Sequence, residues 1–233
     1  MVERFGYRYF QIYQPVGLDH AYDVSRFLES PSNVKVIFDV GANEGQSVGQ
    51  YVPAFLCAQI YSFEPFTSVY SALVGRVSKF SGVRTFQLAF GYTNRIARIQ
   101  AAALSVQNTL RNELSENCFS PDGELVTITT LVSFCPEQNI SRIELPKTDT
   151  EGSDLQALKG AEAILRSKEI RFILTEATLH PNDGYHTSFF HVTEYLSGFG
   201  YYFVDLYDHA FASSSPTRPP LHYCNALFTA RES

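Results

Sequence analysis

The stretch Val36-Ile37-Phe38-Asp39-Val40-Gly41-Ala42-Asn43-Glu44-Gly45 decides the fold of this chain. An apolar run that closes on an acid and then meets two glycines has the pattern of a fully buried strand entering a tight turn. Glycine supplies the backbone freedom for such a turn and lets the main chain approach a neighbour or ligand closely. Gly45-Gln46-Ser47 then opens a helix, completing a first strand-to-helix unit.

Similar units recur outward from it. Ile60 to Phe63 forms a second strand, stopped at Glu64-Pro65 because proline has no N–H to continue the ladder. Val83 to Ala89, Ile143 to Thr148 and Ile170 to Thr175 are the third, fourth and fifth strands. Ser153 to Ser167 places Leu155, Leu158, Ala161 and Leu165 at helical spacing. Between the third and fourth strands, Ala97 to Ala102 and Leu125 to Ile128 read as a hairpin. A helix from Phe190 to Ser197, a strand Tyr201 to Leu206, a Ser/Pro-rich surface loop Ala212 to Pro220 and a strand Tyr223 to Ala230 end the pattern. The prediction is a doubly wound α/β fold: a mostly parallel sheet with an antiparallel C-terminal edge hairpin and helices on both faces. Residues 1–233 are expected to be one domain, with a helical cap over 1–33 and a Rossmann-like core over 34–233.

With 233 residues and 45% hydrophobic content, the chain can bury a sizeable core. Its net charge of −6, with scattered Lys and Arg, argues against nucleic acid as a partner. No uncharged run is long enough to span a bilayer, Tyr51 to Phe63 being too short, and the first residues lack a signal-peptide pattern. A cytoplasmic location is therefore expected. Cys57, Cys118, Cys135 and Cys224 show no CxxC or metal-type spacing and read as buried small hydrophobes. No metal is assigned.

The chemistry starts at the same stretch. Asp39, Gly41, Asn43 and Gly45 lie where the first strand hands over to its helix, and Glu64 ends the second strand 25 positions after Asp39. An acid at that place can accept hydrogen bonds from both hydroxyls of a ribose. A nicotinamide dinucleotide would use the same two features, but its pyrophosphate wants glycines at 41, 43 and 46, and Asn43 and Gln46 stand at two of them. S-adenosylmethionine has no phosphate, so Asn43 is acceptable beside its amino-acid end. Pro65, Ala89 and Phe90 complete the expected cofactor wall, and Phe90 is the aromatic best placed to stack on adenine.

The third motif is Leu145-Pro146-Lys147-Thr148-Asp149-Thr150-Glu151-Gly152-Ser153-Asp154-Leu155, closing with Leu158-Lys159-Gly160-Ala161. Together, VIFDVGANEG, YSFEP and LPKTDTEGSDLQALKGA resemble the FkbM-type methyltransferases, in order and in separation, over about Val34 to Asp205. The resemblance implies a class I methyltransferase fold, S-adenosylmethionine as donor, and O-methylation of a sugar, glycan or natural-product hydroxyl. Asp149, Glu151 and Gly152 fall on the family's acidic segment, while Gly91 to Glu124 departs from its pattern. Amino-group methyltransferases of this class carry an Asn/Asp-Pro-Pro-aromatic run where this chain has Asp149-Thr150-Glu151-Gly152.

Asp149, at the end of the fourth strand, is assigned to the donor's ammonium or to the reacting centre; capping the next helix is its structural alternative. Glu176, His180 and His186, on the rim after the fifth strand, are the candidates to take the acceptor's proton. A Mg²⁺ ion between Asp149, Glu176 and a histidine is the weaker alternative. Two other readings compete: a nicotinamide-dependent oxidoreductase, and a module that binds S-adenosylmethionine without turnover. The sequence assigns no oligomeric state.

Overall fold

The computed structural model describes residues 2–4, 7–9, 14–99, 123–180, 183–211 and 221–231. In chain order the strands are β1 Val2–Arg4, β2 Tyr7–Tyr9, β3 Val36–Val40, β4 Gln59–Phe63, β5 Val83–Phe86, β6 Ala89–Phe90, β7 Arg95–Ile99, β8 Glu124–Thr129, β9 Leu145–Thr148, β10 Phe172–Thr178, β11 Tyr201–Phe211 and β12 Leu221–Ala230. The α-helices are α1 His20–Phe27, α2 Gln46–Ala54, α3 Thr67–Val77, α4 Leu131–Glu137, α5 Asp154–Lys159, α6 Glu162–Arg166 and α7 Phe189–Ser197.

Seven strands form the main sheet in the order β11-β12-β10-β9-β3-β4-β5, parallel except for β12, which runs antiparallel to both β10 and β11. The chain walks outward from β3 to β5, then returns and walks the other way from β9. Ligands bind at such a reversal, outside the carboxyl ends of the strands. The doubly wound prediction and its antiparallel edge hairpin are as expected.

Side-chain alternation along the strands divides the interior into two cores. Ile37, Ile60, Leu145, Phe172, Leu174 and Leu227 face Val24 of α1, Val48 and Tyr51 of α2, and Leu73 and Val77 of α3. Phe38, Val40, Phe63, Ile173, Ala226 and Phe228 face Phe134 of α4, Leu158 of α5, Leu165 of α6, and Val192 and Leu196 of α7. Asp39 follows Ile37 by two, so its carboxylate sits on the first of these faces, fully buried.

Several boundaries differ from the prediction. The third strand breaks after Phe86: β5 stays in the main sheet, while β6 pairs in parallel with β8 in a separate sheet of order β6-β8-β7. The expected hairpin is present as antiparallel β7 and β8; residues 100–122 lie outside those described. The helix expected over Ser153 to Ser167 is two, α5 and α6, divided at Gly160, where a Cβ would stand 2.0 Å from the Gly91 carbonyl oxygen. The missing side chain lets the chain leaving β6 pass against the helices. The cap over 1–33 contains α1, but β1 and β2 precede it as an antiparallel pair, consistent with the β-favouring Val of VER and the two Tyr of YRY. Cys135 and Cys224 are buried as expected; Cys57 is exposed, since it lies in the turn between α2 and β4. The loop Ala212 to Pro220 falls outside the described residues. Among those described, no helix is long and apolar enough to cross a membrane.

Candidate functional site

At the carboxyl ends of β3, β4, β9 and β10 a cavity of about 350 Å³ opens, with Gly41, Asn43, Glu64, Pro65, Ala89, Phe90, Asp149 and Glu176 in its wall. Eight of the residues expected from sequence thus meet there. The turn that carries Gly41 and Asn43 is held tightly: the amides of Gly41 and Ala42 both donate to the Phe63 carbonyl (3.0 and 2.9 Å), and Asp149 N–H donates to the Val40 carbonyl (2.9 Å). Gly41, at φ 77°, faces the Asp149 carbonyl oxygen so closely that a Cβ would stand 1.9 Å from it. Gly45 does not line the cavity. It opens α2 at φ 88° and leaves room for Leu73 and Val77 of α3, so its part is packing. Asp39 lies behind the wall rather than in it.

Glu64 is 6% exposed, and its two carboxylate oxygens accept from the amides of Asn43 (3.2 Å) and Phe66 (3.0 Å). A carboxylate has further lone pairs, so these bonds aim it without exhausting it. Burial lifts its pKa to about 7, against the pull of those two amides. A donor hydroxyl pair needs the ionised form as acceptor, and protonation removes that capacity. The affinity for S-adenosylmethionine is therefore expected to weaken by about tenfold per unit as pH falls below 7, while E64Q binds more weakly with a flatter profile. Titration calorimetry between pH 5 and 8 checks this; equal slopes for the two proteins would rule it out.

The residue that sequence reading passed over is Lys147. It is the cross-strand partner of Asp39 in the β3–β9 register, and its Nζ donates to Asp149 Oδ2 at 2.7 Å. Burial alone would lower its pKa, but the carboxylates of Asp149 and Asp39 overrule it and hold the ammonium well above its ordinary value. Asp39 in turn is raised to about 6 by burial, with Lys147 opposing. Its two oxygens lack a well-formed hydrogen bond, although the Ser47 hydroxyl also favours the charged form. Asp149 does not cap α5. That local bonding falls to Asp154, whose Oδ1 accepts from Thr150 N–H (3.1 Å) and whose Oδ2 accepts from the Thr187 hydroxyl (3.2 Å).

A second cavity, of about 610 Å³, is lined by His180 and His186 together with Tyr92, Arg95, Gln156 and His191. The histidines therefore do not line the first cavity with Glu176. Linings of the two cavities approach each other where ligand atoms of Glu151 and Glu176 from the first and His186 from the second come within 4.8 Å of one another. Glu151 reaches it through a left-handed backbone (φ 52°) followed by Gly152 (φ 94°). Burial and the adjacent carboxylates Asp149, Asp154 and Glu151 push Glu176 up to about 10; burial with Asp149 and Asp154 pushes Glu151 to about 7. His186 Nδ1 bonds Asp183 Oδ2 at 2.8 Å, and its ring stacks on Tyr223 at 4.3 Å. Asp183, against the effect of burial, is held at about 2 by the amides of His186 and Tyr185 and by the imidazole.

Asp208, Tyr223 and Asn225 also line the first cavity, and no local motif marks them. Asp208 is turned inward by a bulge in β11, where it adopts φ 50°, and Asn225 Nδ2 donates to it at 3.0 Å. No lysine or arginine is among the described residues lining this cavity, while Glu64, Asp149, Glu151, Glu176 and Asp208 are. That wall attracts a cationic ligand and repels a pyrophosphate, so the oxidoreductase reading fits poorly.

An acid-lined cavity over a glycine turn, at the reversal of a sheet with this strand order, fits an S-adenosylmethionine-dependent methyltransferase of class I fold. The sequence matches the methyltransferase FkbM domain over residues 39–203. The chain belongs to that family, and S-adenosylmethionine is its methyl donor. No curated protein matches the chain. Solved structures similar to it include M. capricolum TrmK in complex with S-adenosyl-homocysteine (10% identity, 91% of this chain and 69% of that one, TM-score 0.49). Others are an rRNA methylase from Streptococcus thermophilus (9%, 96% and 100%, 0.46) and precorrin-6y C5,15-methyltransferase from Geobacter metallireducens (11%, 89% and 87%, 0.45). These distant likenesses carry no information on the acceptor.

Proposed function

We propose that the chain, as one methyltransferase domain, methylates a hydroxyl of a sugar, glycan or natural-product small molecule. The observation that carries this reading is the meeting of Glu151, Glu176 and His186 where the donor cavity adjoins the second one. An alcohol is a poor nucleophile until its proton is withdrawn, so polar groups belong between donor and acceptor. The donor lies against Gly41, Asn43, Pro65, Ala89 and Phe90, its ribose on Glu64 and its ammonium towards Asp149. Lys147 and Asp39 hold that carboxylate in place. The acceptor occupies the second cavity, where Tyr92 and His191 offer ring faces and Arg95, Gln156 and His180 offer polar groups suited to a polyhydroxylated molecule.

The acceptor oxygen forms its bond to the methyl carbon as the carbon–sulfur bond breaks and its electron pair returns to sulfur. The hydroxyl proton is withdrawn at the cluster of Glu151, Glu176 and His186 and passes to water. Alignment of oxygen, carbon and sulfur supplies much of the rate. With a panel of sugar, polyketide-type and amine acceptors and labelled donor, methyl transfer to oxygen is the expected result. E176Q and H186A are expected to lower kcat by about 10²–10⁴-fold. Methylation confined to nitrogen, or unchanged kcat in both variants, would overturn the proposal.

A further inference from the structure

We propose that Glu151, Glu176 and His186 bind a divalent cation, Mn²⁺ by preference, at the junction of the two cavities. This deepens the reading above and rests on it: the cation would orient the acceptor's oxygens and acidify the hydroxyl to be methylated, whose proton then passes to water, Glu176 and His186 serving as ligands rather than as bases.

The geometry comes first. One donor atom from each of the three residues lies within 4.8 Å of the others, close enough to share one ion. Glu176 is 6% exposed, lines the donor cavity, and its Oε2 has no hydrogen-bond partner. A carboxylate so buried needs a proton or a cation, and Lys147, the nearby ammonium, is already bonded to Asp149. That pairing also removes Asp149 from the Mg²⁺ ligands that the sequence offered as a weaker alternative.

His186 is prepared as a ligand by its other neighbours. Its Nδ1 is bonded to Asp183, which leaves Nε2 to offer its lone pair, the arrangement by which a carboxylate orients a metal-binding histidine. Asp183 Oδ1 accepts from the amides of Tyr185 (2.7 Å) and His186 (3.0 Å), which leaves Oδ2 to hold the imidazole. The alternative grouping of Asp183, His186 and His222 would need that satisfied carboxylate, and the same Nδ1, to turn to the metal. Asp154 then braces both arms of the site, holding the turn before Glu151 and the loop after His186. Two carboxylates with one imidazole suit Mn²⁺ better than Mg²⁺, and three protein ligands leave positions for water or acceptor oxygens.

Mn²⁺ binding to the metal-stripped protein, followed by electron paramagnetic resonance and calorimetry without donor or acceptor, tests the site. The wild type is expected to bind Mn²⁺; E176Q and E151Q should lose it, and D183N should weaken it by about 10–100-fold. H222A should bind as the wild type does. Circular dichroism of each variant separates loss of the site from loss of the fold. No Mn²⁺ binding by the wild type, or loss in H222A with retention in folded E176Q, would overturn the inference. The two proposals fail separately. Metal-independent methylation of an alcohol by a protein that binds no Mn²⁺ removes the cation alone, whereas Mn²⁺ binding without any O-methyl product removes the reaction alone.

Discussion

Lys147→Met is expected to destabilise the protein by about 3–5 kcal/mol, because it leaves buried carboxylates without their counter-charge. Lys147 pairs across the sheet with Asp39, and its ammonium bonds Asp149, the residue just past the end of its own strand. Methionine fills most of the volume, so the loss is electrostatic rather than a cavity. The pH dependence identifies it. Asp39 carries a pKa of about 6, raised above its unfolded value, so its burial is tolerated best when it is protonated and becomes costly as pH rises through 6. The deficit of K147M should therefore be smaller at pH 5 than at pH 8. Urea unfolding at both values measures it, and an equal deficit at the two would show that packing, not charge, is what Lys147 supplies.

Gly41→Ala should cost nearly as much and should abolish donor binding. The left-handed backbone at φ 77° costs a side-chain-bearing residue about 1–2 kcal/mol. The overlap with the Asp149 carbonyl oxygen at 1.9 Å adds roughly another 1–3 kcal/mol. Neither partner can yield freely, since Gly41 is tied to Phe63 and Asp149 to Val40 by main-chain hydrogen bonds. Gly49 is the internal control. It lies exposed within α2 with nothing within 4 Å of its would-be Cβ, so Gly49→Ala should stabilise by about 0.5–1 kcal/mol. Thermal unfolding and calorimetric titration with S-adenosylmethionine, run on both variants, check the pair. A G41A protein that binds the donor normally would mean that the turn is not the cradle inferred here.

Elements whose signal is local are legible in the amino-acid order alone. An apolar run closing on Asp39 and Gly41, a strand stopped at Glu64-Pro65, and the paired C-terminal strands follow from periodicity and from what glycine and proline allow. The cavity wall was legible for the same reason, since residues at the carboxyl ends of parallel strands must share one rim. The remaining features depend on register and on bends, which arise only when the strands assemble. Nothing in Lys147 itself marks it as the partner of Asp39, because the two are brought together by strand pairing across more than a hundred residues. The departure of the chain from the main sheet before Ala89, the bulge that aims Asp208, and the left-handed turn that carries Glu151 to His186 are likewise set by packing. Local pattern fixes which face of a strand is buried; only the assembled sheet fixes which charged groups then find themselves face to face.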